Sequence, residues 1–484
     1  MRFQHLYALL SVTRLTPMEQ GGDIFPMTAI KNELMRKLPK IDVLAEFPPI
    51  AAASAVLGRP AVVDACRRGV ESAKLAAKTQ GIAPDFDRVA EHVVADLERE
   101  KGSLLRPVIN GTGVLLHTNL GRAPLGDELF QEMASLVSGY CNLEIDVEQR
   151  QRGVRAPGVA ELLRRLCGAE DSVVVNNNAA ALFLALSALA KGKEVIVSRG
   201  ELVQIGGGFR ILDILQDSGA ILVEVGATNI TTTEDYAGAV TEATALVLSV
   251  HRANFTMSGF VRAPSLSEIR SAVPREIPLI SDLGSGNFLR EAGGRRIAEP
   301  TPEDALRQGA DLVCFSCDKM LGGTQAGVAA GSGPLVRTLK KHPVMRVVRP
   351  GKLTFAALQV VLTRYLSDSA EALPLWRAAS LSVEDLRLRV RGFVETQGLN
   401  PEVFVPSPMD STFGGGAGPE ERIPSFGLKI RCPRAEVVAE AFQRRVPPIV
   451  GRIADGCLVL DFRTIDVAEE DSVGEACRES VPTV

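Results

Sequence analysis

The stretch FSCDKMLGGTQAG, residues 315–327, joins an apolar strand end, a single lysine and a glycine turn. Lys319 follows Asp318 and stands just before Gly322 and Gly323. A lysine that serves only solubility needs no such setting. A lysine that bonds a carbonyl carbon does, because its amine must be partly desolvated with free space in front of it. The run LVCFS (312–316) has strand character, so Lys319 projects from a strand's carboxyl edge. In open α/β sheets that edge is where ligands gather.

The same pattern recurs upstream and downstream. SVVVN, EVIVS, AILVEV, ALVLSV, PLIS, LVCFS and GVAAG are short apolar runs between about residues 104 and 360, and helical segments such as AAALFLALSALA and YAGAVTEA separate several of them. Such alternation predicts an α/β fold with a mainly parallel sheet covered by helices on both faces. Residues 28–103 read as a helical domain punctuated by Pro39, Pro48, Pro49 and Pro60. Residues 361–484 read as a smaller α+β domain: a helix around LRLRVRGFVETQG, then strands near FGLKIR, PPIVGRI and CLVLDFR. Residues 1–27 precede the first clear helical pattern and are expected to be a disordered extension or a misassigned start, since Met27 stands just before that pattern. The apolar run from Leu6 to Val12 is too short for a secretory signal and lacks a cleavage site.

The chain has 484 residues, 46% hydrophobic and 23% charged, with a net charge of −4. This is globular composition, and long apolar runs are broken by charge, so no membrane span is expected. Eight cysteines without a regular framework suit a reduced, cytoplasmic protein. The net charge argues against a chain coated in basic residues but leaves room for one basic region. Residues 31–78 carry nine Lys or Arg against five Asp or Glu. That surplus suits either a solvated face or a nucleic-acid contact.

Pyridoxal phosphate needs a lysine for its carbonyl carbon, an acid for its pyridine nitrogen, a phosphate cradle and room for substrate. Lys319 supplies the first. Asp282, where PLIS passes into DLGSG, suits the second. The third fits VVVNNNAAALFLAL, which turns from strand into helix around Asn177, Asn178 and Ala179, because amides at a helix start attract phosphate. His251 ends ALVLSV and could stack on or hydrogen-bond the cofactor, or be a satisfied strand-end residue. Arg122, Arg346 and Arg349 lie beside glycine and proline turns; their planar donor fork suits oxyanions, and by themselves they read equally as ordinary surface arginines. Cys314 and Cys317 point to opposite faces of a strand, and no second pair completes a metal site. The loop Gly414–Gly418 lacks the lysine and hydroxyl residue of a phosphate-binding P-loop.

Together, INGTGVLLHTNLGRAPL, CNLEIDVEQRQRG, VVVNNNAAALFLAL, VHRANF, PLISDLGSG, FSCDKMLGGTQAG, HPVMRVVRPGKLT and PPIVGRIADGCLVLDFRT resemble, in colinear order, the bacterial selenocysteine synthases, the L-seryl-tRNA(Sec) selenium transferases. The resemblance implies a fold-type I, aminotransferase-like architecture preceded by a small tRNA-engaging helical domain. It also implies a homo-oligomer, a decamer built from dimers with active sites at dimer interfaces. In that frame Lys319 is the pyridoxal lysine, Asp282 the nitrogen partner, and Arg122, Arg346 and Arg349 the selenophosphate pocket. The implied reaction converts seryl-tRNA(Sec) to selenocysteinyl-tRNA(Sec) through an aminoacrylyl-tRNA. Cys317 and Thr324 stand where the family pattern has glycine and proline, and Ile230 where an arginine is common. A similar pyridoxal lyase acting on a small amino or sugar acid is the alternative, and would not require the helical segment. A tRNA-binding protein without catalysis is a third reading, against which Lys319 and Asp282 speak.

Overall fold

The computed structural model describes residues 35–204, 208, 210–418 and 421–481. The expected extension, 1–27, lies outside the described residues. The chain divides into two compact units at Pro107/Val108.

The first unit is helical. Arg59–Gln80 and Phe86–Ser103 are its long helices, with Ile41–Glu46 and two single-turn helices before them. Pro60 sits in the first turn of one long helix, and Gly81 ends it in the left-handed region at φ 68°. Asp85 caps the next by accepting from the Arg88 amide at 3.0 Å. Leu44, Ile50, Val62, Cys66, Val93 and Leu97 form a core of their own. Gly69 lets the two helices close: a β-carbon there would lie 2.5 Å from Val93 Cγ2.

The second unit is built on a seven-stranded sheet. Its strands are β1 (Asp171–Val175), β2 (Glu194–Ser198), β3 (Ile221–Val225), β4 (Thr244–Val250), β5 (Leu279–Gly284), β6 (Leu312–Ser316) and β7 (Gly327–Gly331). Their order across the sheet is β1-β7-β6-β5-β4-β2-β3. β3, β2, β4, β5 and β6 pair in parallel, whereas β7 runs antiparallel to both β6 and β1. Helices cover both faces, which is why the strands read as continuous apolar runs. Val313 and Phe315 enter one core while Leu312 and Cys314 enter the other. Cys317 belongs with the first, so the two cysteines do point apart.

A second sheet pairs Phe404–Thr412, Arg422–Ile430, Cys457–Asp461 and Arg452–Ala454 in that order, backed by the helix Val383–Thr396. Phe404–Thr412 was not expected as a strand because Pro406 and Pro408 interrupt it. It lies at the sheet edge, the place where a strand tolerates residues without an amide hydrogen.

Candidate active site

The parallel strands β4, β5 and β6 deliver their carboxyl ends to one cleft of ≈ 750 Å³. Asn177, Asn178, Ala179, His251, Asp282, Lys319 and Arg122 all line it.

Lys319 sits in the turn that reverses β6 into β7, and is only 8% exposed. That turn is held at several points. Cys317 N donates to Ala326 O at 2.9 Å, Met320 N to Ser285 O at 3.0 Å, and Gly322 N to Lys319 O at 2.9 Å. Gly322 adopts φ 73°, the left-handed conformation that glycine enters without a Cβ penalty. Beneath the turn, buried Tyr365 donates to Leu321 O at 2.9 Å and itself accepts from Trp376 Nε1 at 2.7 Å. Burial, then the Arg122 guanidinium, lower the lysine's pKa below its ordinary value, against the pull of Asp282, Asp318 and Glu299. A neutral amine is thereby favoured, the form a nucleophilic or proton-accepting lysine uses.

Asp282 lies inside β5 rather than beyond its end, because that strand runs on to Gly284. The β5–β6 register shifts at this point: Cys314 faces Asp282, and Phe315 faces Gly284. The carboxylate accepts from Asn178 Nδ2 at 2.7 Å, and its backbone oxygen accepts from His251 N at 2.8 Å. Burial raises its pKa, opposed by the Asn178 amide and by Lys319. The raised carboxyl calls for a cationic or hydrogen-donating partner in the cleft.

Asn177 caps the helix Asn178–Leu189 by accepting from Ala180 N at 2.8 Å. The amides of Asn178 and Ala179 are among the first of that helix and have no partner within it. Asn178 Oδ1 is buried with no partner among the described residues. These features fit pyridoxal phosphate. Lys319 can take its carbonyl carbon, Asp282 its ring nitrogen, and the helix start its phosphate.

Arg122 reaches the cleft in the left-handed region at φ 65°, directly after Gly121 at φ 88°. Its guanidinium lies 3.4 Å from Asp318. A non-glycine residue held there costs on the order of 1–2 kcal/mol, a strain that marks functional positions. His251 lines the wall and bonds Glu299 at 3.1 Å through Nε2. Arg346 and Arg349 are not in this lining. Arg346 is exposed on the single-turn helix Val344–Val347. Arg349 binds Glu144 at 3.1 Å, a carboxylate shared with Arg152 and Arg155.

Three contributors escaped the sequence reading. Thr118 and Asn119 line the cleft from the HTNLGR segment, and Asn254 from VHRANF. The loop Gly414–Gly418, compared in the sequence only with a P-loop, crosses Lys319: a β-carbon on Gly416 would lie 2.5 Å from its Nζ. Glycine density was the available signal. Close backbone approach, not phosphate binding, is its cause here.

A neighbouring cavity of ≈ 370 Å³ shares Arg122, and its buried arginines are turned to other protein groups. Arg463 Nη atoms are taken by the carbonyls of Ala378, Ala379, Leu381 and Pro424, and Arg389 by Glu470, Phe462 and Ile465. Among the described residues no cluster of His, Cys, Asp and Glu could hold a metal, and no helix is long and apolar enough to cross a membrane.

A buried lysine in the β6–β7 turn, an acid inside β5 and a helix start opposite them define a pyridoxal-phosphate enzyme of fold type I. The D-glucosaminate-6-phosphate ammonia-lyase structure shares the fold, at a TM-score of 0.54 and 20% identity over 79% of this chain and 97% of that one. Residues 108–466 match the family described as L-seryl-tRNA selenium transferase, and residues 35–73 match the selenocysteine synthase N-terminal family. The L-seryl-tRNA(Sec) selenium transferase of Geobacter sulfurreducens is 41% identical over 92% of this chain and 99% of its own. That of Caldanaerobacter subterraneus is 38% identical over 93% and 98%. The chain belongs to the L-seryl-tRNA selenium transferase family.

Proposed function

We propose that this chain converts L-seryl-tRNA(Sec) to L-selenocysteinyl-tRNA(Sec), with selenophosphate as the selenium donor. The observation that carries the reading is Lys319: buried, lowered in basicity, and set beside Asp282 in a family whose relatives match both units. Pyridoxal phosphate, when bound, supplies a sink for charge developing at the seryl α-carbon. Lys319 Nζ would hold its carbonyl carbon, and the same amine, when neutral, would accept the seryl α-proton. Asp282 would face the ring nitrogen, and Asn177, Asn178 and Ala179 would seat the phosphate.

Arg122, Arg346 and Arg349 are assigned to the selenophosphate oxyanion. Because Arg346 and Arg349 lie outside the single-chain cleft, this assignment places them where two copies meet, in a homo-oligomer of dimers, a decamer in the family pattern. The helical unit is assigned to the tRNA. A tRNA substrate and eight free cysteines suit a cytoplasmic protein.

The test is selenium transfer from selenophosphate to seryl-tRNA(Sec), run beside seryl-tRNA(Ser). Product on the first alone is expected. Failure with both, in protein that holds its cofactor, would return the chain to the small-molecule lyase reading.

A further inference from the structure

Glu299 lies away from the strand ends, in the segment between β5 and β6, and the proposed chemistry makes no use of it. Its side chain is 7% exposed. Both carboxylate oxygens are partnered. Oε2 meets His251 Nε2 at 3.1 Å, and Oε1 accepts from Gly418 N at 2.9 Å. Its backbone is pinned as well, since Asn287, fully buried just after β5, donates to Glu299 O at 2.8 Å. The two partners belong to different walls of the cleft. His251 follows β4, while Gly418 closes the glycine loop that crosses Lys319.

The geometry points to Glu299 as a positioning residue that sets the His251 tautomer and latches the Gly414–Gly418 loop over Lys319. An ionised carboxylate only accepts, so His251 must carry a proton on Nε2, the ring nitrogen that faces Glu299. Burial works against ionisation of Glu299, but His251, the Ser285 hydroxyl and the Gly418 amide together outweigh it and hold its pKa below the ordinary range. Glu421 also stands beside Gly418, with a buried oxygen lacking a partner among the described residues. Burial raises its pKa, and Glu299 adds to the rise against Arg295, so negative charge is favoured on Glu299 over Glu421. The latch needs glycine. Gly414, Gly416 and Gly418 have φ of 103°, 86° and 58°, and any side chain at 416 would strike the lysine.

This inference rests on the Lys319 cleft being the catalytic one, but its test does not depend on activity. Glu299→Gln keeps the shape. Its amide oxygen can still accept from Gly418 N, while its NH₂ must donate to His251, forcing the proton to Nδ1. Solid-state ¹⁵N spectra of histidine-labelled protein, with His251→Gln identifying the resonances among five histidines, should show Nε2–H in the parent and Nδ1–H in Glu299→Gln. Hydrogen exchange of the Gly418 amide should match the parent in Glu299→Gln and quicken about tenfold or more in Glu299→Ala. In the transfer assay Glu299→Gln should lower kcat about tenfold with little change in KM for seryl-tRNA. An unchanged tautomer in Glu299→Gln overturns the orienting role. Unchanged exchange in Glu299→Ala overturns the latch. If selenium transfer itself fails in the parent protein, both readouts still judge Glu299.

Discussion

The cleft and the N-terminal helical unit handle charge in opposite ways. In the cleft, ionisable groups are buried and paired across long sequence separations: Asn178 with Asp282, His251 with Glu299, Gly418 with Glu299. In the helical unit they are mostly exposed, and several pair locally: Arg67 with Asp64, Lys74 with Glu71, Lys101 with Glu98. Arg68 reaches Glu100 on the neighbouring helix. Exposed pairs contribute roughly 0–1 kcal/mol each, so they add little stability. Asp64 and Glu71 already count among the acids of residues 31–78, so these pairs leave most of that segment's basic surplus in place. Lys40 and Lys78 are exposed and are among the unit's cations with no carboxylate partner among the described residues, which leaves them free for phosphate. The difference teaches that one region is preorganised for chemistry and the other offers a loosely held electrostatic face.

Removing the lysine should separate the two most strongly. Lys319→Ala should lower selenium transfer by about a thousandfold or more, because it removes both the anchor and the base. The cofactor's visible absorbance should be lost, while tRNA binding in a filter assay stays unchanged. In the parent, borohydride reduction and peptide mapping should find the cofactor on Lys319; an adduct on another lysine would sink the assignment.

Asp282→Asn should cost roughly a hundredfold in transfer yet stabilise the cofactor-free protein. The sign follows from the raised pKa of Asp282. The folded state holds that proton more tightly than the unfolded chain, so stability falls as pH rises above the ordinary 3.8 toward the folded value. Asparagine removes this penalty. Thermal melts of the cofactor-free protein across pH should show a flatter profile for the variant.

Two glycine substitutions set the regions against each other directly. Gly416→Ala places a β-carbon against Lys319 and strains φ 86°, so it should weaken cofactor binding about tenfold or more by absorbance titration. Gly69→Ala meets Val93 and should destabilise the helical unit by about 1–3 kcal/mol in chemical denaturation. Cofactor absorbance should not change with it. If Gly69→Ala altered the cofactor band, the independence of the two regions would fail.

The smallest effect concerns the free cations. Lys40→Glu and Lys78→Glu should each reduce the slope of log affinity for seryl-tRNA against log salt by about 1, the effect of one phosphate left unneutralised, with kcat intact. An unchanged slope would leave the helical unit without an electrostatic docking role.

Local pattern alone was enough to place Lys319 just past a strand and Asn177–Ala179 at a helix start, but it put Asp282 at the end of a strand that runs on to Gly284. Strand periodicity, capping and glycine turns act over a few neighbouring residues, and those are visible in a linear sequence. The seven apolar runs of the main sheet were legible for the same reason. Tertiary structure alone decided that β7 turns back antiparallel, that the proline-interrupted Phe404–Thr412 serves as an edge strand, and that Arg349 binds Glu144 outside the cleft. It alone brought Glu299 to His251, 48 positions away, and to Gly418, 119 positions away. No local propensity encodes such pairs. They follow from which buried donors and acceptors meet once the sheet is assembled, because a buried polar group left without a partner costs about 1–3 kcal/mol.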